Sequence, residues 1–141
     1  MARAPTRIDA DKLTIVRDLF IATADNNYIT ARWCHQQGLN IDFFWLAAHA
    51  LEKYMKAALL LNDRSSIREQ SGSGKPRSFG HDLEALYSAL GGIATGLLPE
   101  RFARPELIEQ GAWIDETIAV YMAGLHAKGN ADNRYMIVSA S

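Results

Sequence analysis

The sequence predicts an all-α protein, an up-and-down bundle of four to five helices. Three observations carry that expectation. Long segments repeat apolar residues at steps of three and four. No segment alternates with the period of two that a half-buried strand requires. Glycines and one Ser/Gly/Pro-rich stretch divide the chain where helices would end.

The first helix is expected from about Ala10 to Gln37, with Asp9 or Asp11 capping its start and Gly38 ending it in a left-handed conformation. Leu13, Val16, Phe20, Ala24, Tyr28, Ala31 and Cys34 form its apolar stripe, which Leu19, Ile29 and Trp33 widen. Asp25-Asn26-Asn27 are poor helix formers and mark the place where a break would fall. The second helix begins near Ile41 or Asp42 and ends about Leu61. Phe44, Ala48, Leu51, Met55 and Ala58 lie on one face of it, and Trp45, His49, Glu52 and Lys56 on another, with Lys53 alongside. This helix is therefore buried over most of its girth and keeps its titratable groups at one edge.

Residues 63–78, DRSSIREQSGSGKPRS, read as a mildly basic, flexible loop without secondary structure. A third helix is expected from His81 to Leu90, stopped by Gly91-Gly92. Pro105 suits the first turn of a further helix that carries Ile114, Ile118, Tyr121, Met122 and Leu125 and closes at Gly129. Gly111 is a place for that helix to kink or divide, and the tail from Tyr135 to Ser141 trails off.

The totals narrow the function classes. At 141 residues, 48% of them hydrophobic, the chain has material for one domain with a real core. A formal charge of −1 gives no global attraction to nucleic acid or anionic lipid, so such binding needs a local patch. The single cysteine, Cys34, excludes an internal disulfide and fits a reducing cytoplasm. The first residues show no apolar leader, and charged groups interrupt the longest apolar run, so no membrane association is expected.

Several segments then occur together in one order: Ala31-Arg32, Gly38-Leu39, AAHALEKYMKAALLLN (47–62), GHDLEALY (80–87) and Asn133-Arg134-Tyr135. In this the chain resembles the small prokaryotic HEPN domains, from about Ala24 to Tyr135. The resemblance implies a helical bundle that pairs into a homodimer and works with nucleotides, RNA or a nucleotidyltransferase partner protein. Some members are ribonuclease toxins of toxin–antitoxin pairs. Their motif is an Arg followed by four to six residues and a His. Here Arg77 and His81 have only three residues between them, Arg32 and His35 only two, and Tyr121 stands where the shortest version would place the Arg before His126. The expected function is therefore a non-catalytic HEPN-type module binding a nucleotide, RNA or a nucleotidyltransferase. The alternatives are a ribonuclease acting through a non-standard site, with His81, His126 and Arg134 as its candidates, and a purely structural dimerisation protein.

For a phosphate-bearing ligand the expected binding residues are His49, Lys53, Lys56, Arg64, Arg77 and His81. The cations would gather near the start of the third helix, whose N-terminus favours anions. His49 and Glu52, three residues apart, share a helical face as metal ligands would, but a site needs further ligands from other helices, with His81 and Asp82 the nearest in kind. No metal and no cofactor are expected. Ser73-Gly74-Lys75-Pro76 lacks the glycine spacing, the following hydroxyl residue and the preceding strand of a phosphate-binding loop. Cys34 and His35 point about 100° apart on a helix and do not form a nucleophile–base pair.

Overall fold

A computed structural model describes residues 7–63, 69–70, 76–77 and 81–129, with side chains for 9–63 and 81–129. Its elements are α1 (Arg7–Ile15), a π-helical segment (Val16–Ile21), α2 (Ala22–Gln36), α3 (Asn40–Leu61), β1 (Glu69–Gln70), β2 (Pro76–Arg77), α4 (Leu83–Ile93), a 3₁₀ turn (Gln110–Ala112) and α5 (Ile118–Lys128). The protein is an all-α bundle, as its apolar periodicity requires.

The helical path from Arg7 to Gln36 is unbroken, because the residues at both joints of the π segment keep right-handed helical angles. The irregularity therefore falls at Val16–Ile21 and not at Asp25-Asn26-Asn27, which lie within α2. Asp25 and Asn27 are instead used across the helix pair: Tyr54 Oη donates to Asp25 Oδ1, and Lys53 Nζ donates to Asn27 Oδ1 at 2.6 Å. Asp9 and Asp11 sit inside α1 and do not cap it, since the helix starts at Arg7. At the other end Gly38 has φ +73°, and Leu39 N–H bonds Cys34 C=O at 2.9 Å while Gly38 N–H bonds His35 C=O at 3.2 Å. This is the paired six-to-one and five-to-two closure that a left-handed glycine permits.

The short turn returns the chain antiparallel along α2, and α3 becomes the central helix. It packs against the π segment, α2, α4 and α5. Ala48, Met55 and Leu59 of α3 meet Leu83 and Leu86 of α4 and Ile118, Met122 and Leu125 of α5 in one core cluster. On the α2 side, buried Ala24, Ala31, Cys34, Ala50 and Ala57 are small residues that let the two helices approach closely.

Three expectations are corrected. Within residues 63–78 the backbone of β1 pairs antiparallel with β2, Glu69 opposite Arg77 and Gln70 opposite Pro76. Composition reports what side chains can bury, whereas main-chain hydrogen bonds are open to any residue except through a proline nitrogen. Next, α4 begins at Leu83, after His81, and continues through Gly91-Gly92 to Ile93. A helical glycine costs about 1 kcal/mol relative to alanine, which weakens a helix without ending it. Finally, Pro105 opens no helix. Residues 94–117 are irregular apart from the 3₁₀ turn and a bridge between Arg101 and Thr117, and Ile114 is largely exposed. The last helix starts at Ile118, where the Thr117 hydroxyl accepts from Val120 N–H at 3.2 Å. It closes at Gly129, as the glycine suggested. The expected tail, Tyr135 to Ser141, lies outside the described residues.

Candidate functional site

Helical spacing brings His49 and Glu52 to one face of α3, and Lys56 one turn further on. Trp45 stands a turn before His49, its ring centroid 4.4 Å from the imidazole in an edge-on arrangement. The start of α4 supplies the last member. The Asp82 carboxylate caps that helix by accepting from Ala85 N–H at 3.0 Å. The cap sets the entry of the chain and delivers His81, just before it, onto the polar edge of α3. His81 and His49 lie edge to face with ring centroids 5.6 Å apart.

Glu52 is the centre of this arrangement and the only buried charged residue among those described, at 6% exposure. Its two oxygens have different partners. Oε1 accepts from Lys56 Nζ at 2.6 Å. Oε2 lies 2.8 Å from His81 Nδ1 and 3.7 Å from His49 Nδ1. An ionised carboxylate only accepts, so the 2.8 Å contact places a proton on His81 Nδ1. Burial pushes the Glu52 pKa upward, but the hydrogen bonds from Lys56 and His81 outweigh it and hold the carboxyl below its ordinary value. For His49 burial is the largest influence and lowers its pKa; Glu52 opposes this, while His81, Lys53 and Lys56 add to it.

His49, Glu52 and His81 line a pocket of ≈ 280 Å³ that Trp45, Ala48, Leu83, His126 and Gly129 complete. Three histidines from three elements thus share one cavity with a buried carboxylate. The floor of the cavity is set by a close helix contact, since Gly129 at the end of α5 rests against Ala48 and the Phe44 carbonyl.

Of the residues expected from the sequence, His49, His81 and His126 come together here. Lys56 borders the group through Glu52, with its ammonium committed to that carboxylate. Lys53 is turned the other way, onto Asn27 of α2. Arg64 and Arg134 lie outside the described residues, and Arg77 is described only as a backbone position in β2. Glu52 and Trp45 were legible as part of the polar stripe, but their central positions depend on the partner that α4 brings. A second, apolar groove of ≈ 440 Å³ runs between α2, α3 and α5, with Tyr28, Phe43, Leu51, Tyr54, Phe102 and Tyr121 on its walls. Among the described residues no helix is long and apolar enough to cross a membrane.

No family model, no curated protein and no solved structure matches this chain.

Proposed function

We propose that this chain is a HEPN-type binding module that works as a homodimer and receives a nucleotide or RNA in the His49–Glu52–His81–His126 pocket without cleaving it. One observation supports this reading above others. The two segments that carry most of the resemblance, 47–62 and 80–87, are joined through the 2.8 Å contact between Glu52 and His81. Imidazole edges and the Trp45 ring suit a base or a phosphate oxygen, and the cavity opens beside them. Lys53 and Lys56 act here mainly as structural groups, since each already holds a side-chain oxygen.

Pairing of two copies is supported by the outer face of the first helix. Leu19, Ile29 and Trp33 are 62, 64 and 55% exposed, apolar side chains that a second copy would cover. A nucleotidyltransferase is the protein partner that the resemblance implies. A cytoplasmic setting agrees with the free, buried Cys34.

The test is fluorescence anisotropy with labelled single-stranded RNA and with adenine and guanine nucleotides, followed by gel analysis of the same RNA. The reading expects saturable binding of an intact ligand, weakened at least tenfold by His49→Ala. Equal binding by the variant, or none by the parent, overturns it. A second reading, a ribonuclease with a non-standard site, draws on the shared pocket of His81 and His126. Two imidazoles flanking a phosphodiester can act as general base and general acid. RNA shortened by the parent and left whole by His126→Ala would select that reading.

A further inference from the structure

We infer that His49, Glu52 and His81 form a binding site for a divalent transition metal of the zinc class. The sequence pairs two of its ligands on one helix and has His81 as a candidate third, but no spacing in it requires His81 to approach them. The fold provides that third ligand from the segment leading into α4.

The geometry is near what such an ion needs. One ligand atom from each residue lies within 4.8 Å of the other two. Bonds of about 2.1 Å in a tetrahedral shell put neighbouring ligand atoms about 3.4 Å apart. The observed separations from Glu52 Oε2, 2.8 Å to His81 Nδ1 and 3.7 Å to His49 Nδ1, fall on either side of that value. Each histidine nitrogen is thus about half an ångström from its place relative to Glu52 Oε2, and the two imidazoles, within 4.8 Å of each other, close the triangle by drawing together. His81 is free to move in this way, since its side chain is 79% exposed.

The donor chemistry selects the class of ion. Two imidazoles and one carboxylate are poor ligands for calcium or magnesium, which favour shells of oxygen alone, and good ones for zinc, nickel or copper. Glu52 would bind through Oε2 while Oε1 stays on Lys56, which holds the carboxylate in place as outer hydrogen-bond partners of metal ligands do. To ligate through Nδ1, His81 gives up the proton it directs at Glu52 and keeps its other proton site, Nε2, on the outer side of the ring. The ammonium beside Oε1 weakens the site, and micromolar affinity is expected in place of the far tighter binding of four-ligand structural zinc.

Three protein ligands leave one coordination position open, and the same three residues line the pocket together with Trp45 and His126. Water or an oxyanion such as a phosphate oxygen is the natural occupant. In that respect the inference deepens the binding reading, but the metal itself can be tested without any nucleotide.

The experiment is titration of the chelator-treated full chain with ZnCl₂ by calorimetry and with CoCl₂ by visible absorption. One ion per chain is expected, with the intense d–d bands of tetrahedral cobalt. His81→Ala and His49→Ala, each checked for its helical circular dichroism, should lower affinity at least tenfold, while His35→Ala should leave it unchanged. The exposure of His81 makes its variant the one that keeps the fold. Absence of binding at millimolar metal, or equal affinity in parent and both folded variants, overturns the inference. Metal binding without nucleotide binding would leave it standing and remove only the ligand reading.

Discussion

Gly129, at the end of α5, lies so close to Ala48 of α3 that a methyl group on it would stand 2.5 Å from the Ala48 Cβ. It would also lie 2.8 Å from the Phe44 carbonyl oxygen, and backbone cannot give way as a side-chain tip can. The glycine φ is −87°, so the objection to a larger residue is space and not backbone conformation. Gly129→Ala should cost about 1–3 kcal/mol, the usual range for overpacking. Urea denaturation would show it, and Ala48→Gly in the same chain should restore only part, because the carbonyl contact remains.

Glu52 ties α3 to the segment before α4 while sitting almost out of water. Glu52→Ala takes the carboxylate away from the Lys56 ammonium, whose side chain is 17% exposed, and removes the acceptor of His81. A loss of about 2–4 kcal/mol is expected, a little under the range for breaking a fully buried pair. Glu52→Ala with Lys56→Met should recover a good part of it, because neither charge is then left uncompensated. Chemical denaturation of the four members of that cycle checks the claim.

The bond from Tyr54 to Asp25 pushes the tyrosine pKa up to about 12, with burial a smaller contributor. A raised folded pKa means that the bond stabilises fully below the ordinary tyrosine value near 10 and stops doing so as pH climbs towards 12. Absorbance at 295 nm should therefore show Tyr54 titrating late, as does Tyr121, whose pKa burial raises, and Asp25→Ala should advance the Tyr54 step alone. Tyr54→Phe should cost about 0.5–1 kcal/mol at neutral pH, near the lower bound because the pair is open to solvent.

Pairing of two chains through the first helix makes a separate prediction. Ile29 and Trp33 are one turn apart on its outer side and more than half exposed. Sedimentation at micromolar concentration should show a dimer for the parent and a monomer for Ile29→Glu with Trp33→Glu, with unchanged circular dichroism. A parent that sediments as a monomer refutes the pairing.

The elements that could be read in the sequence are those whose signals are local. Gly38 announced its left-handed turn, and the apolar steps of 41–61 located α3 to within a residue or two. The start of α5 was missed although its signal was present. Thr117, three residues before Val120, is an ordinary N-cap, and Pro105 drew the helix start away from it. The π segment has no sequence mark of its own, because Val16–Ile21 contains neither glycine nor proline. The candidate site was half legible. His49, Glu52 and Lys56 follow from periodicity, but the approach of His81 depends on how residues 63–82 return, and no helical repeat encodes that. Lys53 shows the same limit in reverse: one position from Glu52, it is claimed by Asn27 on the neighbouring helix.

The π segment also carries a consequence for how this chain tolerates changes in length. A helix wound more widely over Val16–Ile21 accommodates about one residue more than α-helical winding would over the same rise. Deleting one residue there would let the segment relax to ordinary winding while everything on its N-terminal side keeps its facing relative to α2. Lys12 would then still reach Asp63, its partner at 2.5 Å beyond the far end of α3, and Leu13 would keep its side of the helix. The same deletion within α2 would instead misalign Asp25 and Asn27 with Tyr54 and Lys53, the bonds that hold the central pair in register. The first helix thus contains one stretch that can give up a residue without turning its free end, followed by one that cannot.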